Sequence, residues 1–166
     1  MYTSIKSFLN EWKEESEATL KVFSYLNDEA LRKRVANYDR TLGELCWHIV
    51  GSISEMVSYT GLNISCPSEE DPIPTNLKEI IETYYNSTKS LSDEVERNFD
   101  DEKLLEEIDM YGEKWKIGFT FSAMIKHQIH HRAQMTVLMR QIGLKVPGVY
   151  GPSKEEWADM IQDDDN

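Results

Sequence analysis

The chain has 166 residues, a net charge of −12, and 29% charged against 40% apolar residues, a composition that fits a single folded domain with a substantial core. That acidity argues against nucleic-acid binding, which needs a basic patch, and against docking on an anionic membrane. No stretch approaches the roughly 20 apolar residues of a membrane-crossing helix. Met1-Tyr2-Thr3-Ser4-Ile5-Lys6 lacks the basic-then-apolar order of an export signal, so a cytoplasmic protein is expected.

In chain order, Ile5, Leu9, Trp12, Ser16, Thr19, Phe23 and Leu26 alternate in steps of four and three, predicting a first bundle helix from about Thr3 to Leu26. Asn27-Asp28 breaks it, and a short helical turn is expected over Ala30–Val35 before Asn37-Tyr38-Asp39. Thr41 and Glu44 fit a capping box that starts a second helix along Leu42, Leu45, Ile49, Ser52, Ile53, Met56 and Tyr59, ending at Gly61. Pro67, Pro72 and Pro74 exclude regular structure from Asn63–Pro74, a connection long enough to cross the bundle. Thr75 is the expected cap of a third helix carrying Leu77, Ile81, Tyr84, Thr88, Leu91, Val95 and Phe99.

Asp101–Glu107 reads as a short helical piece, and Glu107–Ile117 alternates around Gly112 as a small β-hairpin. A fourth helix spans about Phe119 to Ile142, and a Pro/Gly-rich strap follows over Leu144–Gly151. Ser153 and Glu156 offer a second capping box for a short helix with Trp157, before an acidic tail over 162–166. The expected fold is therefore all-α: one four-helix-bundle domain over 1–166, with a small β-hairpin before the last long helix. Cys46 and Cys66 make no disulfide framework; Cys46 reads as a small core residue and Cys66 as a free thiol in a loop.

Three of the four histidines, His127, His130 and His131, fall in the fourth helix, and the remaining one, His48, in the second. On a helix, His127 and His131 point the same way, roughly 40° apart around the axis and about 6 Å along it, so both can share one ion. With His48 near the seam of another helix, two readings stand: a three-histidine metal site or three separately hydrogen-bonded imidazoles. Three protein ligands with one open position is the pattern of catalytic zinc, and the open position activates water. His130 faces roughly 100° away from His131, outside the ligand set, and reads as a residue that supports the ligands from behind, lies at an interface or is exposed. Glu44 and Glu55 stand at helical spacing where each can orient the His48 imidazole, although a capping role explains Glu44 at least as well. Gln134, on the ligand face, can donate to a metal-bound group or is a polar seam residue.

Arg132 points off the ligand face and reads as a surface ion-pair residue. The small polar residues Ser16, Thr19, Ser52 and Thr88 sit mid-helix in apolar seams. They either leave room for a substrate beside the metal or bond to the backbone.

Leu45-Cys46-Trp47-His48-Ile49-Val50, His127-Gln128-Ile129-His130-His131-Arg132-Ala133-Gln134 and Val146-Pro147-Gly148-Val149-Tyr150-Gly151-Pro152-Ser153 resemble segments of the DinB/YfiT-like family of bacterial helix bundles. The second is similar to the family's H-x-x-H-H-R-G-Q, with Ala133 where Gly is common; off the ligand face, this change relaxes only helix packing. The resemblance implies a non-sequential helix arrangement, frequent homodimers, and a divalent metal, nickel or zinc, held by His48, His127 and His131. It also implies metal-dependent S-transferases or isomerases of low-molecular-weight thiols such as bacillithiol or mycothiol. The leading expectation is thus a metal-dependent thiol S-transferase or hydrolase acting on a small molecule. The alternative is a non-catalytic, stress-associated interaction protein whose metal ties the second helix to the fourth.

Overall fold

The computed structural model describes residues 1–34, 40–157 and 160. Four long helices form the bundle: α1 (Ile5–Phe23), α3 (Leu42–Ser58), α4 (Leu77–Asn98) and α5 (Ile117–Gln141). A single turn, α2 (Asp28–Leu31), follows α1, and the hairpin β1 (Glu107–Met110) and β2 (Glu113–Lys116) precedes α5. The short helical piece before the hairpin is one 3₁₀ turn, Lys103–Leu105. Tyr111 and Gly112, at φ 53° and 84°, make the left-handed turn that lets two residues join antiparallel strands. The helical turn expected over Ala30–Val35 is Asp28–Leu31 instead, because Asn27 caps it by accepting from the Ala30 N–H. Val35, Asn37-Tyr38-Asp39 and the tail 162–166 lie outside the described residues.

Local chemistry sets the helix ends. Thr41 and Glu44 form the reciprocal capping box of α3, and the Thr41 N–H holds the Glu44 carboxyl below the usual range. The α4 cap is Asn76, not Thr75: the longer Asn side chain accepts from the Glu79 N–H. Ser153 and Glu156 cap the closing turn at 154–157 reciprocally.

The helices pack in the ring order α1, α5, α3, α4, so α1 lies diagonal to α3 and α4 to α5. Contacts give their directions. Tyr2 meets Gly118 and Glu15 meets Arg132, so α1 and α5 run parallel. Trp12 bonds Thr88 and Phe23 packs on Tyr84, so α1 and α4 run antiparallel. His48 approaches His131 and Ser52 approaches Gln128, so α3 opposes α5 and accompanies α4.

A parallel α3–α4 pair obliges the loop 59–76 to return along the whole of α3. It does so in contact with it: Cys66 Sγ lies 3.5 Å from the Val50 carbonyl, and Trp47 Nε1 donates to Asp71 O at 3.0 Å. The loop also explains why α3 is buried nearly all round, with Leu42, Leu45, Cys46, Ile49, Val50, Ile53 and Val57 inaccessible. Among the described residues, no helix is long and apolar enough to cross a membrane.

Candidate metal centre

α5 divides its polar residues between two directions. His127 and His131 lie on one stripe; Gln128 and Arg132, one residue further on and about 100° round the axis, lie on another that turns into the bundle. The inner stripe is buried. Gln128 accepts from the Tyr84 hydroxyl at 3.0 Å and donates to Ile49 O at 2.7 Å and Ser52 Oγ at 3.1 Å. Arg132 donates to Glu15 O and Thr19 Oγ1, at 2.8 and 3.1 Å, and pairs with the Glu15 carboxylate and the Tyr150 hydroxyl.

Arg132 is therefore not a surface residue: it is 2% exposed, because a partner acid on α1 satisfies its charge inside the core. The same contacts decide between the two readings of Ser16, Thr19, Ser52 and Thr88, in favour of backbone bonding rather than room next to the histidines. Their hydroxyls bond to the carbonyls of Lys13, Glu15, Ile49 and Tyr85. Ser16 and Thr88 line a separate cleft between α1 and α4. The space that small side chains leave beside Thr19 and Ser52 is filled by Arg132 and Gln128.

On the outer stripe, three imidazoles meet. His131 Nε2 lies 3.1 Å from His48 Nε2 and 3.1 Å from His127 Nε2. A tetrahedral zinc with Zn–N near 2.05 Å sets its ligand nitrogens about 3.3 Å apart, close to both of these distances, and all three ligand atoms lie within 4.8 Å of one another. Among the described residues, no fourth His, Cys, Asp or Glu joins the group.

The proton positions favour ligation. His131 Nδ1 faces the Gln134 carbonyl oxygen at 2.8 Å, and the Gln134 amide nitrogen faces His130 Nε2 at 3.0 Å. With that amide orientation Nδ1 carries the His131 proton, and Nε2 presents its lone pair to the shared point. Burial, then the neighbouring imidazoles His131, His48 and His130, pushes His127 down to about 4, so it is uncharged at neutral pH. Burial also lowers His131, against the Gln134 bond.

The other residues named from spacing end in different places. His130 is exposed, edge-on to His131 at 4.9 Å, and linked to it by hydrogen bonds through Gln134. Glu44 is taken up in its capping box and an ion pair with Arg34. Glu55 accepts from the Tyr111 hydroxyl at the hairpin tip, at 2.7 Å. The acid beside His48 is instead Glu69, whose Oε1 lies 2.8 Å from His48 Nδ1 and 3.2 Å from an Arg40 nitrogen. Glu69 also borders a cleft of about 590 Å³ with Gly51, Ser54, Glu55, Ser58, Ser68 and Glu70. Helical spacing could not place a residue from an irregular loop. One sequence signal bore on it: a glycine inside α3, at position 51, which marks a close backbone approach.

A profile of the DinB family matches residues 1–165. The uncharacterized protein YrdA of Bacillus subtilis strain 168 is 39% identical over 158 residues, 95% of each chain. A crystal structure of a DinB-like protein from Bacillus cereus ATCC 10987 matches with a TM-score of 0.86 and 39% identity, over 90% of this chain and all of that one. The DinB-like protein YjoA of Bacillus subtilis, at 21% identity and a TM-score of 0.68 over 86% of this chain and 96% of that one, shares the fold.

Proposed function

The chain belongs to the DinB family, and from that premise we propose that it is a metal-dependent enzyme of the thiol S-transferase kind. The resident ion is zinc or nickel. The observation that carries this reading is the convergence of three Nε2 atoms from α3 and α5 with no fourth protein donor among the described residues. Such a donor set leaves a coordination position for a small molecule, as catalytic rather than structural sites do. When bound there, the ion lowers the pKa of a coordinated low-molecular-weight thiol and makes its thiolate available at neutral pH.

The chain's own residues do the preparation. Gln134 keeps the His131 proton on Nδ1. Burial keeps His127 uncharged, so no proton has to be displaced from it at neutral pH. The cleft bordered by Glu69 and Gly51, on the Nδ1 side of His48 through the Glu69 contact, is the proposed standing room for a small substrate.

The test is elemental analysis of protein purified without a nickel column, beside His127→Ala and His48→Ala. The expected result is about one transition-metal ion per chain in the wild type, lost in both variants while the bundle stays folded. A wild-type protein that cannot be loaded with zinc or nickel overturns the reading. With the metal in place, transfer of a low-molecular-weight thiol to an electrophile tests the reaction itself.

A further inference from the structure

The loop 59–76 brings one acid to the imidazole cluster along a path built at several points. Glu69 stands in a turn closed by Ser68 and Asp71: the Ser68 N–H donates to Asp71 Oδ2 at 2.8 Å and the Asp71 N–H to Ser68 O at 3.2 Å. The turn is anchored to α3 by Trp47 Nε1, which donates to Asp71 O. It lies directly on Gly51, one helical turn after His48. A Cβ at Gly51 would stand 2.6 Å from the Glu69 nitrogen and 2.7 Å from its Cα, which backbone atoms cannot accommodate without moving. Arg40, just before the cap of α3, pairs with the same Glu69 oxygen that faces His48.

We propose that Glu69 is a positioning residue of the three-histidine centre, acting through His48; this rests on the metal-site reading above. When His48 Nε2 gives its lone pair to an ion, the ring proton must reside on Nδ1. Among the described residues, the acid 2.8 Å from that atom is Glu69. The carboxylate does not yet meet Nδ1 along a hydrogen-bond direction. A rotation of the His48 ring would bring the Nδ1–H into line with the carboxylate. His131 has an equivalent partner in Gln134, whereas His127 Nδ1 is buried with no hydrogen-bond partner among the described residues. Glu69 therefore holds the α3 side of the centre, and Gly51 is the position that lets it come near enough.

The experiment is a zinc titration against a chromophoric chelator, with the wild type beside Glu69→Ala, Glu69→Gln and Gly51→Ala, and an NMR reading of the His48 Nδ1 proton in zinc-loaded protein. Loss of such an outer partner weakens metal binding by about 10–100-fold. That loss is expected for Glu69→Ala, with partial recovery in Glu69→Gln, which keeps an acceptor oxygen. Gly51→Ala weakens binding in the same direction with the carboxylate intact, because its methyl group displaces the turn. In each weakened variant the His48 Nδ1 proton moves upfield, furthest in Glu69→Ala, where its acceptor is lost, and less where the acceptor is only weakened or displaced. Wild-type affinity and an unmoved Nδ1 proton in Glu69→Ala would overturn the role of Glu69 and leave the three-histidine centre standing. A wild-type chain that takes up no zinc would overturn the centre itself, and Glu69 with it.

Discussion

His131 and Arg132 are neighbours in the chain and enter opposite kinds of polar surroundings. Arg132 turns inward, where every nearby group is paired. Its guanidinium serves Glu15 and Thr19, and the Tyr150 hydroxyl accepts from it while donating to Glu15. His131 turns outward, where its Nε2 lies 3.1 Å from the Nε2 atoms of both His48 and His127. Two neutral imidazoles can share one proton, but three converging nitrogens cannot all be satisfied by one another. The difference separates structure from capacity to bind. A buried polar cluster whose donors and acceptors match ties α1, α5 and the strap together, whereas one with surplus lone pairs is completed by something else.

The largest effect that tests this contrast is expected from Arg132→Met. It leaves the Glu15 carboxylate buried without its cation, at a cost of about 3–5 kcal/mol in denaturant unfolding. Adding Glu15→Leu to the same chain should recover most of that loss, since an apolar pair of similar volume often replaces a buried ion pair without penalty. An unrecovered double variant would mean that the cluster contributes more than pairing.

The outer cluster should respond to zinc instead. Free zinc at a hundredfold over the dissociation constant is expected to stabilise the wild type by about 2.7 kcal/mol. Arg132→Met should retain this increment and His127→Ala should lose it, as read by thermal unfolding with and without zinc. An increment that survives His127→Ala would place the zinc elsewhere.

Tyr150→Phe removes one hydroxyl from the inner cluster while leaving the Arg132–Glu15 pair, and should cost about 1 kcal/mol. Its zinc affinity should equal that of the wild type; a change would show the two faces of α5 to be coupled.

The smallest effect is in pH, because the His127 ring is only part-buried. Its folded value is about 4, below the ordinary 6.5. Between those values the unfolded chain binds more protons than the folded one. Metal-free protein should therefore hold this contribution above about pH 6.5 and lose it as pH falls toward 4. His127→Ala should show a shallower acid slope in the same unfolding series.

The metal-facing half of this contrast was legible in the chain and the core-facing half was not. Seams spaced in threes and fours fixed four helices, and the Thr41–Glu44 box fixed where α3 begins, because helical periodicity and capping are local. The i, i+4 relation of His127 and His131 is local too. Nothing local told that Arg132 is buried. A helical projection puts it off the ligand face, but whether that face meets water or an acid depends on α1, more than a hundred residues earlier. Periodicity also opened the α1 seam with Ile5 and Leu9, which packing leaves half-buried, while Phe8 and Glu15, outside the seam, are buried.

The amino-acid sequence by itself determined an all-α bundle, a small hairpin around Gly112, and two imidazoles on one stripe of one helix. Tertiary structure alone decided that α3 runs beside α4 in the same direction, so that a proline-rich loop must retrace α3 and set Glu69 over Gly51 next to His48. Helical spacing propagates only a few residues along one chain segment. Loop paths and pairings between distant segments are set instead by which surfaces must be covered once the helices have packed.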